Sequence, residues 1–184
     1  GGMTTENTTD AVGAAIDKTA MTKPATGTYY LKGPVTTSSS GWAVGAAEKI
    51  TIIIDNLTAG DASLTVGGPI TITAGGFVAF IVNGNITVAS SVGGLYNLDT
   101  PTVEGVYVTS PTGTFATSLG DVGKQRLVGQ GIFVAGSFLL QRDLASITQN
   151  NSTAAELFLY NPRLLVSMPD SMKDVPITWE EVAP

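Results

Sequence analysis

The chain contains no cysteine and no histidine. Without thiols there is no disulfide framework, no zinc–thiolate site and no thiol nucleophile. Without imidazole, the usual general base near neutral pH and the commonest metal ligand are both missing, so serine–histidine and histidine–metal mechanisms lie outside this chain's reach. Charge is scarce as well: 13% of the residues, with nine basic against fifteen acidic side chains for a formal charge of -6. A phosphate-neutralising surface needs clustered Lys and Arg, and here the basic residues are scattered, so nucleic acid is not an expected partner. Solubility must then rest on hydroxyls and backbone, a balance common in secreted and cell-surface β proteins. No apolar run is long enough for a transmembrane helix and no basic-then-apolar leader is present, so no membrane span is expected. Gly1-Gly2-Met3 reads as a cloning scar, and a leader or anchor removed upstream would leave no trace.

What the chain does have is enough length, 184 residues, for one domain with a sizeable core. Residues 1–25 are rich in Thr, Ala and Asp, with one modest helical patch over 11–16 that is too short to stand alone. They read as an arm or linker, ordered only if docked. The domain proper is expected over 26–184, with a C-terminal cap over about 145–184.

From residue 29 the texture changes to short β-branched and aromatic runs punctuated by glycine: 29–31, 42–44, 50–54, 64–66, 70–73, 77–82, 86–88, 103–108 and 127–138. These read as strands. In Ile70-Thr71-Ile72-Thr73 the strict alternation puts isoleucines on one face and threonines on the other. The junctions repeat imperfectly. Asp55-Asn56-Leu57-Thr58, Gly67-Gly68-Pro69-Ile70-Thr71 and Asn83-Gly84-Asn85-Ile86-Thr87 each set Gly, Asn or Asp at a corner before an aliphatic residue and a threonine. The interval from Asn56 to Pro69 is shorter than that from Pro69 to Asn85, so the unit is irregular. Repeated strands and sharp corners are what a β-solenoid requires, with aliphatic residues stacked inward and threonines outside. The alternative is a β-sandwich, in which Asn83-Gly84 would form a tight hairpin. The solenoid is favoured because the aliphatic–threonine unit recurs after corners instead of mirroring around them.

Past Asp143 the pattern breaks. Asn150-Asn151-Ser152-Thr153 reads as a polar loop that N-caps a short helix over 154–160, with Glu156 three residues after Thr153 in a capping-box relation. Asn161-Pro162 would end that helix. Residues 168–184 hold two internal prolines and should run as extended chain.

Several of these segments resemble a group of uncharacterised secreted or surface proteins from candidate-phyla bacteria. The matching segments are Gly76-Phe77-Val78-Ala79-Phe80-Ile81-Val82-Asn83-Gly84-Asn85-Ile86-Thr87, Leu140-Gln141-Arg142-Asp143-Leu144, Ala155-Glu156-Leu157-Phe158 with Tyr160-Asn161-Pro162-Arg163, and Trp179-Glu180-Glu181-Val182-Ala183-Pro184. The resemblance covers the chain from about Tyr29 to its end. It implies a secreted, β-helix-like C-terminal domain, similar in texture to the polymer-forming bactofilins, and it brings no activity with it.

Candidate chemistry is thin. Asp143, Glu156, Glu180 and Glu181 could supply the two carboxylates of glycoside chemistry; the plainer reading pairs them with Arg142 and Arg163, pinning helix and tail to the solenoid end. Asp55, Asp61, Asp99 and Asp121 could meet calcium, yet no EF-hand loop or calcium nonapeptide is present and corner roles suit them better. Gly129-Gln130-Gly131 lacks any following phosphate-loop or dinucleotide pattern. Tyr29, Tyr30, Trp42, Tyr96, Tyr107 and Trp179 could form a sugar-stacking platform, although core and end-cap roles come first. Asn7, Asn56, Asn85, Asn150 and Asn151 open N-x-Ser/Thr triplets, which a Thr-rich chain produces by composition.

The expectation is therefore a non-catalytic structural module of an exported or cell-surface bacterial protein, with no cofactor, no metal and no enzyme activity. Self-association, other surface proteins and a glycan are its candidate partners. An adhesin or carbohydrate-binding module is the alternative, and a polysaccharide-active β-helix enzyme the remote one.

Overall fold

A computed structural model describes residues 17–55, 62–118 and 125–173. Every pairing between named strands is parallel, and the chain winds through about five turns of a β-solenoid. Parallel neighbours exclude the sandwich, whose hairpins would run antiparallel. One face stacks β1 (Gly27–Leu31), β4 (Lys49–Ile54), β7 (Phe77–Val82), β9 (Val103–Thr109), β11 (Leu127–Val134) and β13 (Glu156–Tyr160). A second face stacks β2 (Val35–Thr36), β5 (Ser63–Val66), β8 (Asn85–Val88), β10 (Thr114–Thr117) and β12 (Ser137–Leu139). The third is short, with β3 (Trp42–Val44) on β6 (Ile70–Ile72) and β6 on the first residue of β9.

Register explains the irregular repeat. Gly27 lies opposite Ile50, Ile50 opposite Val78, Ala79 opposite Val106, Val103 opposite Gly129 and Leu127 opposite Glu156. Successive turns are therefore unequal, the first of these steps being the shortest and the last the longest. The intervals between neighbouring corners are part-turns. Because pairing brings the same position of each turn into line, inward side chains form continuous columns: Tyr29, Ile52, Phe80, Tyr107 and Phe133 on the first face, and Val35, Leu64, Ile86, Phe115 and Phe138 on the second. The aromatic members touch directly. Phe80 and Tyr107 stack at 5.3 Å between ring centroids, Tyr107 and Phe133 at 5.2 Å, and Phe158 meets Phe133 edge-on at 5.0 Å, geometries that add to the gain from area burial alone. Gly129 makes room for this crowding, since a Cβ there would lie 2.8 Å from Phe158 and 2.9 Å from Phe133.

The outward threonines are as expected on β5 and β8, where Thr65 and Thr87 stand side by side. On β7 the outer face is apolar instead. Phe77 and Ala79 are fully buried there, with Val106 and Leu164, beneath Met168 and Met172. Their cover is the C-terminal segment, helix α2 (Arg163–Ser167) and a 3₁₀ turn at Asp170–Met172, and the Thr51 hydroxyl donates to the Met172 sulfur.

The helix expected over 154–160 is strand β13. Its residues pair with β11 from Leu127↔Glu156 to Gly131↔Tyr160, so an open sheet edge outweighs a capping-box pattern that buries nothing. A helix does form just upstream, α1 (Ile147–Ser152), capped by Ser146, whose hydroxyl accepts from the Gln149 N–H. Asn161-Pro162 opens α2 instead of closing a helix.

The two ends of the solenoid differ. At the first turn β1 is the end strand of its sheet, while residues 18–21 cover the end of β2: Met21 is buried, bridges to Thr37, and its carbonyl accepts from the Trp42 indole N–H at 3.0 Å. Lys23 pairs with Glu48 in the next turn. At the other end β12 and β13 are terminal strands of their sheets.

Candidate functional site

Two surface features stand out. The first is a polar cleft of about 370 Å³ between the 73–76 turn and α2. Its floor is the outer face of β9 and β11, where Glu104 and Gln130 lie opposite each other. Asn161, Arg163, Leu164 and Ser167 form the far wall. Glu104 is there for a structural reason. The edge of β6 at Ile72 has no backbone partner on β9, which pairs with β6 only through Val103 and Ile70, and the Glu104 carboxylate takes the Ile72 N–H at 2.7 Å. Burial pushes the carboxyl above its ordinary range, partly offset by that hydrogen bond. Inside the same turn Tyr107 donates to the Glu104 carbonyl at 3.1 Å, and burial, with the Glu104 charge, holds its phenol well above its usual value.

The second is the C-terminal end. Gly131, Ile132, Phe133, Phe138, Phe158, Leu159 and Tyr160 line an apolar hollow of about 470 Å³. Phe138, Leu139 and Leu140 are each almost half exposed and Tyr160 is 66% exposed. Contiguous exposed apolar surface of this kind marks an interaction site more often than scattered residues do.

Two arginines form a clasp at the 89–102 connection. Arg142 donates to the Ala89 carbonyl at 2.8 Å and to the Gln125 carbonyl at 3.2 Å. Burial lowers the guanidinium pKa and the charge of Glu156 works in the opposite sense. Arg126, which is buried, reaches the carbonyls of Ala154 and Leu98 and the Asp99 carboxylate. Together they hold the 89–102 connection against the strands, and Gly93 leaves the space that Arg142 occupies. Glu156 does meet Arg142, but through the backbone: its carboxylate accepts from the N–H groups of Arg142 and Gln141 and from the Thr117 hydroxyl. The arginine–carboxylate fork expected at Arg142 is therefore a carbonyl clasp beside an acid, while Arg163, exposed on α2, forms no ion pair among the described residues.

The other sequence candidates disperse. Asp143 accepts from Asn150 Nδ2, apart from the three donors of Glu156. Asp55 accepts from Asn83 Nδ2 at 2.9 Å, and no group of three or more metal-binding side chains occurs among the described residues. Gly129-Gln130-Gly131 is the middle of β11. Tyr29, Trp42 and Tyr107 are core, whereas Tyr30 and Tyr96 keep exposed rings on separate elements. Asn85 accepts from the Thr114 N–H and Asn150 from the Leu144 N–H; Asn151 lies in α1. Asn7, Asn56, Asp61, Asp121, Trp179, Glu180 and Glu181 lie outside the described residues. Glu104 and Arg126 are functional-site neighbours that sequence reasoning misses. Glu104 has one signal, an acid inside the aliphatic run 103–108; Arg126 has none. No helix of the described residues is long and apolar enough to cross a membrane.

No protein-family model, curated protein or solved structure matches this chain.

Proposed function

We propose that this chain is a non-catalytic structural module of an exported or cell-surface bacterial protein, a stiff rod that meets its partner through its C-terminal end. The observation that carries this reading is the asymmetry of the ends: at one, residues 18–21 cover β2, and at the other an apolar hollow opens, lined by Phe133, Phe138, Phe158, Leu159 and Tyr160. An exterior of hydroxyls with little charge fits the same setting. Antibodies raised against the folded chain should label intact cells of the source organism; labelling that appears only after permeabilisation would count against the surface assignment.

The polar cleft supports a second reading, a glycan-binding module. Glu104, Gln130, Asn161, Arg163 and Ser167 converge on one space with donors and acceptors together, one of them a carboxyl with a shifted pKa. Glycan-array binding that disappears in Gln130→Ala and Arg163→Ala, with thermal stability unchanged, would favour it.

A further inference from the structure

We infer that the open C-terminal end is a self-docking surface, and that its partner is the same end of a second copy, giving a tail-to-tail dimer. This rests on the structural-module reading above and names the partner at that end.

Backbone geometry comes first. The Ala155 carbonyl accepts from Leu127 and the Asn161 N–H donates to Gly131, both toward β11. Backbone groups alternate along a strand, so those of Glu156, Phe158 and Tyr160 point the other way, off the end of the solenoid. Such an edge pairs readily with another strand. A two-fold axis at the end would bring β13 against its own copy, antiparallel.

Charge permits the match. The protein is acidic overall, so a surface meeting its own copy must not set unpaired acids against each other. Residues 131–133, 137–141 and 156–160 include a single charged side chain, Glu156, and its carboxylate is taken up by Thr117, Gln141 and Arg142. The rest of the end is aromatic, aliphatic or neutral.

Two other occupants fit less well. A head-to-tail copy would have to lay both its end strands over the first turn, and Lys18 and Met21 already bond to residues 36–38 at the end of β2, leaving it only the free edge of β1. The chain's own last segment, 174–184, follows Lys173, next to Met172 at Thr51 on β4. Strands β7, β9 and β11 separate β4 from β13, so this segment starts about 19 Å from the open end at the usual strand spacing and would have to double back. The end face, roughly 17 Å along β13 and about 10 Å across to the second sheet, spans on the order of 170 Å² per copy in projection. That is small beside the roughly 800 Å² per partner of a standard stable pair, so the dimer should be weak and dissociate on dilution.

The experiment is sedimentation velocity on the full chain over a roughly hundredfold concentration range, for the native sequence, Tyr160→Lys, Leu140→Lys and a version ending at Lys173. The native chain should move from monomer to dimer and stop there. Both lysine variants, at exposed positions, should keep the native melting temperature and raise the dissociation constant at least about tenfold. Added salt should leave the dimer intact, because apolar contacts are not screened. Shortening to Lys173 should not change the association. A native chain that stays monomeric throughout, or that grows beyond a dimer, overturns the proposal. So does a shortened chain that dimerises when the native one does not, since its own tail would then be the occupant. Each of these results leaves the cell-labelling test of the surface reading untouched.

Discussion

At the scale of single residues, the interior polar groups carry the sharpest consequences. Arg142→Ala strips two carbonyls of their donor and leaves Glu156 without its compensating charge, so it should destabilise the fold by about 2 kcal/mol or more. A urea-unfolding midpoint shifted by less than about 0.5 kcal/mol in equivalent stability would place Arg142 outside the clasp. Glu104 makes a prediction about pH. Its carboxyl is raised above the ordinary value of 4.5, so just above that value the folded chain still binds a proton that the unfolded chain has lost. Its stabilising contribution is then full below 4.5 and declines as pH rises through the raised value. Glu104→Gln keeps an acceptor for the Ile72 N–H without the titration. The native chain should therefore lose ground to the Gln variant as pH increases from mildly acidic to neutral, and parallel urea titrations that keep a constant gap would refute this. Residue identity alone does not show either role. Arg142 stands out by its setting among large apolar residues, but the sequence offers acids as partners and folding supplies carbonyls from residues 17 and 53 positions away in the chain.

At the scale of elements, strands with strong alternation or β-branched runs are legible: the expected runs at 50–54, 70–73, 77–82 and 86–88 coincide closely with β4, β6, β7 and β8. Local side-chain chemistry dominates there. It fails at 154–160, where capping signals and strand-forming Leu-Phe-Leu-Tyr compete and the outcome depends on the edge of β11, a full turn earlier in the chain. Corners are visible through Gly and Asn, yet their grouping into turns is not, because turn length varies and only register reveals it. The candidate cleft is illegible for a related reason: it joins the 73–76 turn, β9, β11 and α2, and no local pattern links them. Cover of the outer face by α2 yields a direct test. Leu164→Ala empties a buried position packed with Phe77, Ala79 and Val106, and should cost about 2–4 kcal/mol by analogy with other buried leucines. Thermal unfolding would show it; no change would mean that α2 rests on the sheet without closing it.

For the whole molecule, parallel stacking makes each turn a template for the next, and the ends decide where assembly stops. Deleting residues 1–26 should expose the first turn while leaving the columns from Tyr29 to Phe133 intact. The expected result is association beyond a dimer, seen as heavier species in sedimentation; a shortened chain that assembles just as the native one does would show that Met21 is not what blocks that end. Solenoid architecture also explains how a chain with so little charge and no disulfide can fold: one core runs through all its turns, from Met21 to Phe158.

The uneven turns, finally, give the molecule a mechanical fingerprint. Pulled from its two termini and peeled turn by turn, it would release unequal lengths of chain, the least between Gly27 and Ile50 and the most between Leu127 and Glu156. At about 3.5 Å per extended residue those are steps of roughly 80 to 100 Å. In an optical trap the order of short and long steps would tell from which end the rod unwinds.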